Sequence, residues 1–261
     1  MGDMQVGMVR DAYPLLDITD KELKSVINAW VISGIIGIAS LTVALNSMFI
    51  TILDREKKTI NDFKASPVKT VNLTLSYFIS AFIITFTLTA TFTLIGNIYL
   101  ISFGGKMFLF SFIEIIKLIL ILVLSSLSSV ITLMFVTSFF NKTSTAAAFT
   151  GIFTALIGFL IGAYLPISFL PKGVSSIANL LPGSQATSLF RISFMDKVFN
   201  NSTFINKVDS SFISNIKNDF GYHLQIFNLK LKPYMIIIYL LLTTLLFFLL
   251  NVFVNKLKKK Q

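Results

Sequence analysis

Residues 75–100 read LSYFISAFIITFTLTATFTLIGNIYL. Thr85, Thr87, Thr89, Thr91 and Thr93 alternate with apolar residues here, which is the two-residue period of a strand. The apolar run around them is too long for a strand, and a helix crosses a bilayer in about 20 residues. A lone strand in lipid would leave its backbone N–H and C=O groups without partners, so a helix is required. Threonine hydroxyls bond carbonyls of the preceding turn, which makes them cheap in such a helix. They either line a substrate path or are simply tolerated there, and the residues favour the second reading.

Four more segments have the same character. They run from about Ala29 to Ile52, Phe112 to Phe140, Ala146 to Leu165 and Pro233 to Val254. Trp30 is expected to anchor the start of the first at the membrane interface. The composition agrees: 54% of the chain is hydrophobic, only 13% is charged, and Phe occurs 27 times. A soluble domain of this size carries about 25% charged residues, so too few are present to cover a core in water. The predicted fold class is an all-α membrane protein, a polytopic helix bundle of five transmembrane helices plus short amphipathic cytoplasmic and extracellular helices.

The net charge of +10 follows the loops. Arg55, Lys57, Lys58, Lys64 and Lys69 follow the first span, Lys142 follows the third, and Lys256, Lys258, Lys259 and Lys260 follow the fifth. The short loop between the second and third spans has only Lys106. Basic loops stay in the cytoplasm, so the expected topology has the C-terminus inside, with residues 1–24 and 166–232 outside. The charge therefore reads as membrane orientation, and no nucleic-acid partner is expected. The chain has no Cys, which excludes disulfides and thiolate metal sites.

Two loops carry more information than the spans. Asp54 to Lys69 reads DREKKTINDFKASPVK. Ile60 and Phe63 stand three apart on one helix face, and Pro67 ends the run before the next span. Such an element lies along the membrane surface, docks into a groove on a soluble partner, or merely connects two spans. Gly162 to Arg191 reads GAYLPISFLPKGVSSIANLLPGSQATSLFR. Pro166, Pro171 and Pro182 punctuate it, and proline favours the first turn of a helix. Two short helices are predicted, opening near Pro171 and Pro182, with Val174, Ile177, Leu180 and Leu181 forming an apolar face on the first. They would form an outer gate or re-entrant element, or an interfacial cap on the bundle.

Within the spans, Ala147, Gly151, Ala155, Gly158 and Gly162 recur mostly four apart. Small residues let helices approach closely in lipid, and packing within the chain is the preferred reading over a dimer seam. Glu114 and Lys117 stand three apart and are expected to pair near the outer end of the third span, without an ion-coupling role. His223, the only His, is expected to be exposed in the outer loop. No phosphate-binding loop, HExxH or GxSxG motif occurs, so no catalytic, cofactor or metal residue is assigned.

The two loops in this order resemble ABC-2 type transporter permeases. Asp54, Arg55, Glu56, Phe63, Ser66, Pro67 and Val68 fit the charged segment that precedes that family's third span. The Pro-bearing stretch at 162–191 fits its extracellular segment, and the resemblance covers about residues 25 to 255. It implies six spans per subunit, two membrane halves and two ATPase subunits, with ATP and Mg on the partner ATPase. Asp54, Arg55, Glu56, Lys57, Lys58, Ile60, Asp62, Phe63, Ser66 and Pro67 would form the ATPase-coupling segment. Pro166, Pro171, Pro182 and Arg191 would lie at the outer mouth, and Gly151, Ala155, Gly158 and Gly162 would serve helix packing.

The family's first span has no counterpart here, which predicts a truncated or alternatively started chain. The expected organisation is one permease domain over residues 1–255, containing an extracellular remnant at 1–24, the coupling segment at 54–69 and an extracellular segment at 166–232. A basic cytoplasmic tail follows at 256–261. The expected function is a permease subunit in the cell membrane that exports a drug-like, peptide or lipidic substrate, working with a separate ABC ATPase and a second permease copy or paralogue. The alternative is an accessory or immunity-type membrane interaction protein. An ion-coupled carrier would need buried ionisable residues that the spans lack.

Overall fold

In the computed structural model, the structure describes residues 6–7, 9–10, 19–59, 70–201, 210–226 and 229–258. Helix α1 runs over Asp20–Ser47 and opens with a capping box in which Thr19 and Glu22 satisfy each other's backbone N–H groups. After a single residue, Met48, the chain continues as α2, Phe49–Glu56. Together they make one apolar element of 37 residues, about 55 Å long at 1.5 Å per residue. Lys57 follows it and Lys58 then takes a left-handed conformation (φ 58°), which turns the chain out of the helix.

The stretch at 75–100 falls inside α3, Thr70–Gly104, a helix as the length required. At 3.6 residues per turn, a two-residue repeat divides into two stripes on opposite helix faces. Thr85, Thr89 and Thr93 are buried, whereas Thr87 and Thr91 are exposed. The inward stripe continues through Gly96, where a Cβ would run into Ile32 of α1, and α1 packs more extensively on α3 than on any other helix.

Helix α4 spans Phe112–Thr137 and opens with a second capping box, Ser111 with Glu114. It touches α1 and α3. Ser125, Ser126, Ser128 and Ser129 are all buried on it. Ser40 of α1 lies 3.1 Å from the Ser125 hydroxyl and 2.9 Å from that of Ser129. Serine at Ser40, Ser125 and Ser129 lets the two backbones approach and gives these three hydroxyls partners across the seam.

Helix α5, Thr143–Leu160, stops at Gly162, whose φ of +67° ends it. A 3-10 turn follows at Ile167–Phe169. Helices α6, Lys172–Leu180, and α7, Pro182–Phe199, then open where the prolines predict, with Pro171 as N-cap and Pro182 in the first turn. Helix α8 covers Ser210–Asp219, a two-stranded antiparallel hairpin pairs Gln225–Ile226 (β1) with Leu229–Lys230 (β2), and α9 closes the chain at Pro233–Lys258. The α1–α2 element, α3, α4, α5 and α9 are each long and apolar enough to cross a membrane. The chain is an all-α polytopic membrane protein.

Trp30 corrects one expectation. It is fully buried and meets Phe220 edge-on at 5.0 Å, so it belongs to the core and not to an interfacial belt. The small-residue stripe corrects another. Ala147, Gly151 and Ala155 face outward, and a Cβ at Gly151 would meet nothing within 4 Å. Gly158 makes room for the Tyr164 ring and Gly162 serves the turn, so among the described residues the stripe is not a helix seam. The seam uses Gly37 and Gly183 instead, which lie against Thr187 and Leu41 where α1 meets α7.

Candidate functional site

The charged side chains cluster at the two ends of the bundle. At one end, three consecutive residues close α2. Asp54 accepts the Tyr77 hydroxyl of α3 at 2.5 Å. Arg55 points Nη1 at the C-terminus of α4, donating to the carbonyls of Thr137 at 2.9 Å and Phe140 at 3.1 Å, with Ser138 at 3.5 Å. Glu56 accepts the Thr143 N–H of α5 at 2.8 Å. A helix C-terminus carries partial negative charge and an N-terminus partial positive charge. Arg55 and Glu56 therefore neutralise opposite dipole ends on either side of the turn between α4 and α5. Lys57 and Lys58 are exposed at the exit from α2. Of the proposed coupling residues, Ile60, Asp62, Phe63, Ser66 and Pro67 lie outside the described residues.

At the other end, α7 is buried along most of its length although it begins PGSQATS. Gly183 abuts Leu41, near the middle of the α1–α2 element, and the Tyr239 hydroxyl of α9 donates to the Leu180 carbonyl at 2.5 Å. The break between α6 and α7 is thus inserted between the long helices. Pro166 is buried and precedes the 3-10 turn, whereas Pro171 is exposed. Val174, Ile177 and Leu180 are exposed as well, so the apolar face of α6 points away from the bundle. Its polar face borders a cleft of about 570 Å³ lined by Ser175, Ser176, Asn179 and Gln225.

Arg191 is the most deeply buried charge described, with 0% exposure. No carboxylate pairs with it among the described residues. Nη2 donates to the carbonyls of Ile161 at 2.8 Å and Gly162 at 2.6 Å, and Nη1 donates to Gly221 at 3.3 Å. It thus clasps the end of α5 to α7 and to the turn after α8. Burial pushes its guanidinium down to about 9, so it remains charged at neutral pH.

Glu114 pairs with Lys197 of α7 at 2.5 Å and not with Lys117. The capping box fixes its carboxylate at the start of α4, where Lys197 also donates to the Leu109 carbonyl at 3.0 Å and sits over the Phe110 ring. His223 is half-buried rather than exposed. Desolvation and the nearby Lys217 hold its imidazole below the usual histidine range. Beside it, Tyr222 donates to Asp196 at 2.6 Å, and burial together with that bond raises its phenol above the ordinary tyrosine range.

Tyr77, Thr143, Lys197 and Gly221 were not legible as partners, because each stands more than 20 residues from the group it bonds. Among the described residues no three His, Asp or Glu side chains gather as a metal site would require.

The bundle, with most of its charges at the two ends and hydroxyls within, is that of a polytopic membrane protein. A family model described as ABC-2 family transporter protein matches residues 10–253, and the chain belongs to that family, the membrane permeases of ABC transporters. No curated protein and no solved structure gives a match to the chain.

Proposed function

We propose that the chain is the permease half of an ATP-driven exporter, acting with a separate ABC ATPase and a second permease copy or paralogue. The lysine-rich loops support a cytoplasmic position for the Glu56 end of the bundle. There the segment from Asp54 to Pro67 couples the permease to the ATPase, and ATP and Mg belong to that partner.

The observation that carries this reading is the triplet at 54–56. Its side chains hold the ends of three spans, so a partner acting on the chain just beyond them acts on the bundle as a whole. The spans supply hydroxyl and apolar groups, which suits a drug-like, peptide or lipidic substrate. The α6–α7 hairpin inserted at the opposite end fits an outer mouth, with Pro166, Pro171, Pro182 and Arg191 shaping it.

Co-purification tests the reading. An ABC ATPase is expected to accompany the tagged chain in stoichiometric amount and to be lost when residues 59–67 are scrambled. A chain that purifies from native membranes without any ATPase would exclude the coupled-permease reading and favour an accessory membrane protein.

A further inference from the structure

Lys117 of α4 is a charge without a counter-charge among the described residues. It lies inside the apolar stretch Phe112–Thr137, about 8 Å inward of Phe112 along the helix axis, and it is exposed. Glu114, one turn away, belongs to Lys197, and Asp196 of α7 serves Tyr222 and Lys217. A charge at such a depth is costly, and a lysine lowers that cost by carrying its ammonium along the helix toward the headgroup layer.

The neighbouring helix fixes where the ammonium arrives. Helices α4 and α9 run side by side in the same direction: Asn251 donates to the Ile131 carbonyl at 3.0 Å, and Ile121 and Leu124 pack on Ile236 and Leu240. Followed toward the helix starts in this register, Lys117 is level with Ile237, and the turn before it is level with Pro233 and Tyr234. Helix side chains lean toward the N-terminus and cover the preceding turn. The Lys117 ammonium is thus carried to the level of Lys232, the residue before α9, which is exposed as well. Lys232 has only its backbone carbonyl engaged, accepting the Met235 and Ile236 N–H groups, and the positive dipole end of α9 adds to its charge.

We propose that the Phe112 end of α4 and the Pro233 end of α9 form a binding surface for a phospholipid of net negative headgroup. Lys117 and Lys232 hold its phosphate, and the apolar side chains around them flank its acyl chains. Those side chains are lipid-facing: Ile113, Ile116 and Leu120 on α4 and Tyr234, Ile237 and Ile238 on α9 are each at least 40% exposed. Tyr234 marks the headgroup level, where tyrosine is enriched. Charge complementarity selects the lipid. A zwitterionic headgroup carries its own cation and gains little from two lysines, whereas an anionic one supplies the counter-charge that Lys117 lacks. This surface is independent of the charged segment that closes α2 and of any protein that drives the chain.

The absence of cysteine allows a local test. Ile237→Cys places a single thiol on the exposed face of α9, level with Lys117, and carries a bimane fluorophore. The full chain is reconstituted in phosphatidylcholine vesicles, and quenching is compared between phosphatidylglycerol and phosphatidylcholine that bear dibrominated acyl chains. A lysine near an anionic lipid surface is worth about fivefold in binding. The brominated phosphatidylglycerol is therefore expected to be preferred by about 25-fold with both lysines, by about fivefold in Lys117→Gln or Lys232→Gln, and not at all in the double variant. Lys117→Arg should keep the preference, and so should Lys172→Gln, which removes an exposed charge from α6. In phosphatidylcholine alone, all variants should melt with the parent.

Equal quenching by the two lipids in the parent overturns the proposal, as does a preference that survives the double substitution or is lost in Lys172→Gln. Cancellation of the preference by inorganic phosphate also overturns it, because the lysines would then take a soluble anion and not a lipid. Absence of quenching by either lipid means that protein covers this face, and it overturns the proposal too. Each of these outcomes leaves the permease reading intact.

Discussion

Replacing Arg191 by Met gives the sharpest prediction about the fold. The substitution keeps most of the side-chain volume and removes the charge and every donor. Two bonds are lost that the structure holds at 2.8 and 2.6 Å, to the carbonyls of Ile161 and Gly162. Each is worth about 1.5–3 kcal/mol as a bond to a charged group. The 3.3 Å bond to Gly221 adds little. Against this stands the cost of holding a guanidinium out of water without a counter-charge, of which a few kcal/mol are recovered on substitution. Of the total of about 3–6 kcal/mol for the two bonds, about 2 are recovered, and the balance is a loss of about 1–4 kcal/mol. At about 2–4 °C per kcal/mol for a chain of this size, the melting temperature should fall by roughly 2–16 °C.

The assay is built into the molecule. Trp30 is the only tryptophan; it is buried and meets Phe220 edge-on, next to the Gly221 whose carbonyl Arg191 holds. Its fluorescence during heating in nanodiscs reports the clasp where it opens. Arg191→Lys, which keeps the charge but not the fork, should fall between parent and Met. A Met variant that melts with the parent or above it would refute the reasoning, since the three carbonyls would then have no need of the guanidinium.

The same assay checks three further expectations. Gly37→Ala should destabilise by about 1–3 kcal/mol through overpacking against Thr187, whereas Gly151→Ala, facing open space, should be neutral or gain up to about 1 kcal/mol from helix propensity; equal effects would contradict the packing. Lys197→Met should lower the melting temperature slightly, by less than about 1 kcal/mol since the Glu114 side chain is 39% exposed and solvent screens the pair, while Lys117→Met should leave it unchanged; the reverse order would restore the pair expected from spacing. For His223 the folded-state value lies below the reference of 6.5, so the unfolded chain binds more protons in that interval and stability rises with pH there. Its contribution is complete above pH 6.5 and fades as pH falls toward the folded value, against Lys217, Lys230 and Asp196 nearby. His223→Gln should flatten the melting temperature between pH 7 and 5, and an unchanged slope would assign the dependence elsewhere.

Much of the bundle was legible because lipid leaves little choice. Backbone groups without water must bond within their own segment, so the apolar run at 75–100 had to be helical whatever its threonines suggested. Pro171 and Pro182 marked helix starts for an equally local reason, their fixed φ and missing N–H. The capping boxes at Thr19 and Ser111 are equally local, made within four residues, yet they came to light only in the structure.

Partner choice was not local, and the errors follow from that. Glu114 had Lys117 one turn away, yet Lys197, brought in by α7, holds its carboxylate against the backbone of the preceding loop. Trp30 has the chemistry of an interfacial anchor, and only the return of the chain at Phe220 buries it. Ala147, Gly151 and Ala155 have the spacing of a packing seam, but no helix among the described residues covers them.

The triplet at 54–56 divides along the same line. Together with Phe63, Ser66, Pro67, Val68 and the Pro-bearing stretch at 162–191, its residues were enough to suggest the family and, through it, a coupling segment. Which helix each charge grips depends on where Tyr77, Thr137 and Thr143 arrive. Those positions are set by packing over the whole bundle, because a side chain bonds whatever group the fold delivers to it, at any distance along the chain.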